Sequence, residues 1–75
     1  MGRHKKLDLT LAKRLDSIMQ QRRLYPSDVS KLTGSKVRMI HNYISGTCQP
    51  SAFMVKKLAE GLNVSADYLL GVGEQ

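Results

Sequence analysis

The chain has 75 residues and carries 12 Lys and Arg against 6 Asp and Glu, which gives a formal net charge of +6. A chain this short forms one domain with one modest core, which argues against an enzyme with a deep pocket of its own. The basic balance points to a polyanionic partner, with nucleic acid first and an anionic membrane surface second.

The first residues are polar and basic and show no periodicity. Residues 1–8 are therefore predicted to form a flexible basic arm, residues 9–71 a folded domain, and residues 72–75 a short tail. Most of the Lys and Arg residues lie in the first half, and no acid occurs from Val29 to Ala59. Such a run is compatible with a solvated basic face, but its concentration in one part of the chain favours a binding surface.

A first helix is predicted from about Leu11 to Arg23, because Leu11, Leu15 and Ile18 recur at helical spacing. We expect Asp8 or Thr10 to cap it. Its polar face is expected to leave four side chains to the solvent: Lys13, Arg14, Gln20 and Gln21.

Two short helices follow. Pro26 suits a first helical turn, where its missing N–H costs little, and predicts a second helix over about 27–33. Gly34 ends that helix, because glycine readily takes the positive φ of a C-terminal cap. A third helix is predicted from about Lys36 to Ser45, closed by Gly46.

The remaining part predicts two more helices. Ser51 caps a fourth that runs to about Leu62, and Ser65 caps a short fifth at Ala66–Leu70. The residues expected to end them are Asn63 and Gly71. No segment alternates between apolar and polar residues, so the fold class is all-α.

Cysteine and histidine are scarce. Cys48 is the single cysteine, so no internal disulfide can form, and a reduced, cytoplasmic setting fits best. His4, His41 and Cys48 lie at no metal-ligand spacing, so neither a metal nor another cofactor is expected. No apolar run is long enough to span a bilayer.

The second and third helices and their glycine turn predict a helix-turn-helix, whose second helix enters the DNA major groove. On the third helix, four residues fall on an apolar side: Val37, Ile40, Tyr43 and Ile44. Four others fall on the polar side: Arg38, His41, Asn42 and Ser45. An amphipathic helix of this size occurs in many proteins, so the helix alone does not separate DNA reading from a solvated face.

The chain resembles the lambda-repressor/Cro (Xre-type) helix-turn-helix proteins from about Leu11 to Gly71. Gly34, Gly46 and the pair Pro50-Ser51 carry the resemblance, together with the tail of the domain, which reads Leu58-Ala59, Leu62-Asn63-Val64-Ser65 and Asp67-Tyr68-Leu69-Leu70-Gly71. The resemblance implies a compact bundle of five helices that binds operator DNA, usually as a dimer.

The resemblance also implies roles for individual residues. The base-facing positions are Val37, Arg38, His41 and Asn42, with Arg38 suited to guanine and Asn42 to adenine. For Val37, contact with a thymine methyl and packing at the edge of the core both remain open. The phosphate-contacting candidates are Ser27, Ser35, Lys36, Ser45, Thr47 and Ser51. Independently of the resemblance, the basic arm is a second candidate contact through Arg3, Lys5 and Lys6, and a solvent-exposed end with only a small non-specific contribution remains open. The candidate dimer contacts are Ala66, Tyr68 and Leu70.

The chain departs from the family pattern at a few positions. Pro26 stands where many members have a DNA-contacting Gln, and Ser30 replaces a frequent Ala. Met19 and Ile44 occupy positions that often hold a buried Arg–Glu pair, and well-packed apolar residues are an acceptable exchange there. Tyr25 and Tyr68 are expected to be packing residues.

The sequence therefore predicts a sequence-specific regulator that binds double-stranded DNA, most simply a repressor that occupies its operator as a homodimer. No small-molecule effector domain is expected, because few residues follow the last helix. The alternative is a protein-interaction or antitoxin-like module on the same helical bundle, which binds DNA only weakly and makes its contacts through exposed apolar residues among Met39, Phe53 and Met54. An enzyme is not expected, because no nucleophile–base pair, metal set or glycine-rich phosphate loop is present.

Overall fold

The computed structural model describes residues 8–72, which form five α-helices and no strand. The helices are α1 Thr10–Arg22, α2 Pro26–Thr33, α3 Val37–Ser45, α4 Ala52–Leu62 and α5 Ala66–Leu70. The all-α class and the five predicted helices are thus confirmed, with boundaries close to those expected. Most of the predicted arm and the end of the predicted tail lie outside the described residues.

The core is aliphatic and draws on every helix. Its fully buried side chains are Leu15, Val29, Ile40, Leu58, Leu62 and Leu69. Helix α1 contacts α3 and α5, α2 contacts α3 and α4, and α4 contacts α5. Helix α3 is therefore held from two sides, by α1 and α2, and keeps an outward face.

The helices end at the residues predicted to end them. Gly34 after α2 and Gly46 after α3 both have a φ of 80°, a conformation that glycine adopts without steric cost. Asn63 ends α4 with a φ of 57°, as expected. Arg23 ends α1, as predicted, but its φ of 57° was not indicated by the sequence. These caps fix the angles at which α3 leaves α2 and the chain leaves α3.

The start of α1 differs from the prediction. Leu9, rather than Asp8 or Thr10, occupies the cap position. The Asp8 carboxylate still accepts the Thr10 N–H at 3.0 Å, because it reaches that group from one residue further upstream. This hydrogen bond stabilises the ionised form and lowers the pKa of Asp8 below its usual value.

Helices α2 and α4 approach each other closely at Gly61. A Cβ atom there would lie 2.6 Å from the Leu32 carbonyl oxygen and 2.9 Å from the Thr33 Cγ2 atom. No side chain larger than hydrogen fits without separating the two helices. Gly61 therefore sets the distance between α2 and α4, a role that the sequence pattern did not reveal.

Two arginines of α1 bind the other end of the chain. The Arg14 guanidinium donates to the Tyr68 carbonyl at 2.7 Å and lies 4.6 Å from the centre of the Tyr68 ring. The Arg22 guanidinium donates to the carbonyl of Leu62, the last residue of α4. The expectation that Arg14 extends into solvent is therefore wrong, because a carbonyl and a ring face of α5 lie within its reach.

The apolar residues Met19 of α1 and Ile44 of α3, which stand where many family members have an Arg–Glu pair, both pack against the core, as expected. Met19 is buried, and the half-buried Ile44 packs against the same core. Both side chains also line a surface cavity of about 400 Å³ beside the turn between α1 and α2.

Candidate nucleic-acid interface

Helix α3 separates an inner from an outer side almost as predicted. Ile40 is fully buried and Tyr43 is 4% exposed, whereas Arg38 and His41 are exposed. Asn42 is half-buried at the edge of the outer side. Burial of Tyr43 raises the pKa of its hydroxyl, and the neighbouring Cys48 adds to this shift.

Val37 lies on the outer side of α3, although helical periodicity predicts it on the apolar side. Its side chain is 39% exposed, because Val37 opens the helix and no earlier turn of α3 covers it. Contact with a thymine methyl and packing at the edge of the core both remain predictions for this residue.

The C-terminal end of α3 is organised around one carbonyl. The Asn42 carbonyl accepts the N–H groups of Thr47 at 3.0 Å and Cys48 at 3.2 Å, as well as the Ser45 hydroxyl at 3.1 Å. The Ser45 and Thr47 hydroxyls lie 2.8 Å apart and share a hydrogen bond. The loop after the helix is thus folded back, and it presents two adjacent exposed hydroxyl groups.

The remaining phosphate-contacting candidates divide into two groups. Ser27, Lys36 and Ser51 are exposed, and Lys36 and Ser51 occupy the cap positions of α3 and α4. The Ser51 hydroxyl accepts the Met54 N–H at 3.2 Å. Ser35 is half-buried, and its hydroxyl points to the Met54 sulfur at 3.8 Å, so it links the turn to α4.

The first turn of α2 is also tied internally. The Asp28 carboxylate accepts the Tyr25 N–H at 2.7 Å. Tyr25 is 73% exposed, so the expectation that it is a packing residue is wrong. Its backbone is extended at the start of α2, and its ring is left at the surface. Tyr68 is 37% exposed, and its ring packs against the Arg14 guanidinium.

The predicted arm residues Arg3, Lys5 and Lys6 lie outside the described residues. The point where the described chain begins is fixed by two contacts. The Gln49 amide donates to the Asp8 carbonyl at 2.8 Å, and the Leu9 side chain lies against Gly46. Residue 8 is therefore next to the loop that follows α3. Sequence reasoning missed Gln49, because no local pattern signals a contact between residues 41 positions apart.

The candidate dimer contacts lie on α5. Tyr68 and Leu70 are exposed and Ala66 is half-buried. A groove of about 450 Å³ runs beside them and is lined mostly by apolar side chains of the loop before α4, of α4 itself and of α5.

Residues 8–72 contain no group of three or more His, Cys, Asp or Glu placed to hold a metal ion. Across the same residues, no helix is long and apolar enough to cross a membrane.

Comparison with known proteins then identifies the family. A family model described as helix-turn-helix matches residues 12–69, which is most of the described chain. No curated protein and no solved structure matches the chain. The match covers the glycine turn, the outward face of α3 and both later helices. The chain therefore belongs to the lambda-repressor/Xre-type helix-turn-helix family of DNA-binding regulators.

Proposed function

We propose that the protein is a sequence-specific repressor that acts by occupying an operator in double-stranded DNA. One observation carries the proposal: the outward face of α3 presents Arg38 and His41, beside Asn42, with no carboxylate from Val29 to Ala59. A major groove about 12 Å wide admits a single helix, so this face meets the base edges when α3 is inserted.

The DNA contact proposed for each residue follows from the chemistry of its side chain. Arg38 makes paired hydrogen bonds to guanine, Asn42 makes them to adenine, and Val37 contacts a thymine methyl. His41 donates to a phosphate or to a bridging water. Exposed Lys36, together with the hydroxyls of Ser27, Ser45, Thr47 and Ser51, lies along the phosphates; Ser35 is the candidate with the least freedom, because its hydroxyl is directed to Met54.

The basic arm is proposed as a second contact. Its attachment supports this role, because Gln49 holds the Asp8 carbonyl beside the loop after α3. Arg3, Lys5 and Lys6 are then tethered near the DNA and add affinity that does not depend on sequence. Replacing Lys5 or Lys6 by Ala should weaken binding to all sequences alike.

A homodimer on DNA completes the proposal. Tyr68 and Leu70, with Ala66, present an apolar surface on α5, and the groove lined by Val55 and Ala59 extends it. A two-fold dimer predicts an operator with two related half-sites about one helical turn apart. Binding there blocks polymerase. The protein would act in the cytoplasm of a bacterium or a phage-infected cell, where this DNA lies.

Selection of bound fragments from random duplexes tests the proposal, because it returns site, symmetry and spacing together. We expect one short sequence with two-fold symmetry. If six to eight phosphates are neutralised, log K should fall with log salt at a slope of roughly −5 to −7. Bound fragments without a shared sequence would overturn sequence-specific reading, whereas a shared site without symmetry would overturn only the dimer.

A further inference from the structure

The start of α3 is held less by packing than the rest of that helix. Val37 and Arg38 precede Ile40, which is the first fully buried side chain of α3. Among the described residues no side chain caps the helix, because Lys36 stands at the cap position and an ammonium group accepts no hydrogen bond. The turn before the helix is open as well, since a Cβ atom added at Gly34 would meet no atom within 4 Å outside the neighbouring residues. The placement of Val37 and Arg38 therefore depends on the hydrogen bonds of the turn.

Two hydroxyl groups of α2 bind both backbone polar groups of Ser35. The Ser30 hydroxyl donates to the Ser35 carbonyl, and the Ser35 N–H donates to the Thr33 hydroxyl at 3.3 Å. Thr33 is buried, and its hydroxyl donates in turn to the Val29 carbonyl at 2.8 Å. Because Ser35 directly precedes the cap residue of α3, these hydrogen bonds fix the chain just before the helix begins.

Ser30 binds the turn at two points. Its carbonyl accepts the Gly34 N–H at 2.8 Å, and its hydroxyl donates to the carbonyl of the next residue, Ser35. The Ser30 side chain is half-buried, and a hydrogen bond inside a protein is electrostatically stronger than one in water. Serine is a poorer helix former than alanine, so the hydroxyl brings no advantage to α2 itself. Its contribution is to the turn that follows α2.

We propose that Ser30 is a positioning residue for DNA reading: by binding the Ser35 carbonyl, it fixes the start of α3 and with it the Arg38 side chain. This role rests on the proposed reading of bases by α3. Paired hydrogen bonds to a base edge tolerate little displacement of the side chain that makes them. Random DNA is bound through its phosphates, which flexible lysine side chains can follow. Loss of the Ser30 hydroxyl should therefore lower discrimination between sequences more than it lowers affinity for DNA in general.

The first test measures amide hydrogen exchange on the purified full chain without DNA. Ser30→Ala removes one oxygen atom and adds no bulk, so the fold is retained. The N–H groups of Met39 and Ile40 bond to the Lys36 carbonyl in the first turn of α3. In Ser30→Ala we expect them to exchange about three- to tenfold faster relative to the amides of α1. Ser17→Ala, at a half-buried serine of α1, is the matched control and should leave these rates unchanged. Unchanged rates in Ser30→Ala would overturn the proposal.

The second test measures discrimination, as the ratio of affinities for the selected operator and for random DNA at fixed salt. We expect Ser30→Ala to lower this ratio about three- to tenfold and Ser17→Ala to preserve it. In a chain that already carries Arg38→Ala, the effect of Ser30→Ala should be largely lost, because Ser30 acts through Arg38.

The outcomes separate this role from the proposed function. With an operator in hand, an unchanged ratio, an equal loss of affinity for operator and random DNA, or full additivity with Arg38→Ala would overturn the role of Ser30 and leave operator binding intact. If no operator is selected at all, the proposed function fails, and the role of Ser30 in DNA reading fails with it.

Discussion

Arginines of α1 and of α3 occupy equivalent places in the sequence pattern but have different surroundings. Arg14 and Arg38 both stand on the polar side of an amphipathic helix. Arg14 is bound to the carbonyl and ring of Tyr68, whereas Arg38 is exposed on the outward face of α3. A basic net charge therefore overstates the charge available to DNA, because part of it holds the bundle together.

The difference has an electrostatic cause. The C-terminal end of a helix leaves carbonyl groups unpaired and carries a partial negative charge, which attracts cations. Helix α4 ends at Leu62, whose carbonyl accepts from Arg22. Helix α5 offers the Tyr68 carbonyl to Arg14 in the same way. The supporting side of the bundle thus uses arginine as a structural clamp, and the α3 side leaves it for a ligand.

The largest effect is expected where packing leaves no room. Gly61→Ala places a methyl group 2.6 Å from the Leu32 carbonyl, so α2 and α4 must separate. We expect a loss of about 2–3 kcal/mol in the free energy of unfolding, measured by urea denaturation. Glu60→Ala, at the exposed neighbouring position, should change it by less than about 0.5 kcal/mol. Equal midpoints for the two variants would contradict the close approach.

The second-largest effect is expected on DNA recognition, with the free energy of unfolding unchanged. Arg38→Ala and Asn42→Ala should each cost about 1–3 kcal/mol on the selected operator and relax discrimination at one base pair. The ratio of specific to random binding is measured by competition at fixed salt, with Arg14→Ala as the matched arginine control. If Arg38→Ala preserves that ratio, the assigned reading face is wrong.

The reverse pattern, a loss of stability with DNA discrimination retained, is expected when the contact of Arg14 with Tyr68 is removed. Arg14→Ala removes a charged hydrogen bond and a cation–π contact from a half-buried site, and we expect a loss of about 1–2 kcal/mol in unfolding free energy. Lys13→Ala, next to it and exposed, should have almost no effect. Discrimination between operator and random DNA should be retained by Arg14→Ala once the protein is folded. A thermal midpoint equal to that of the unmodified chain would argue against the clamp.

The helices were predictable because their signals are local. Ser51 and Ser65 accept N–H groups three residues ahead, and Gly34 and Gly46 take the positive φ expected of them. The two sides of α3 follow from helical periodicity in the same way. Residue roles on DNA remain predictions, because the sequence gives the face and not the bases it meets.

The contacts that escaped prediction join distant parts of the chain. Arg14 and Tyr68 are 54 positions apart, and Gln49 and Asp8 are 41 apart, so no short window shows them. Gly61 gave no signal either, because a glycine inside a helix is informative only once the neighbouring helix is placed. The chemistry of Tyr25 predicts a packing residue, but its exposure depends on how the α1–α2 turn leaves the bundle.

The smallest effect concerns pH and compares two tyrosines. Burial raises the pKa of Tyr43 above its usual value of 10.0, so the unfolded chain loses this proton at a lower pH than the folded one. The stability linked to Tyr43 is therefore complete below pH 10.0 and is lost as the pH rises through the folded pKa. Urea midpoints measured from pH 8 to 11 should fall less steeply for Tyr43→Phe than for the unmodified chain. Tyr25→Phe, at the exposed tyrosine, should follow the unmodified chain, and a flattened profile for that variant instead would place the alkaline sensitivity outside the core.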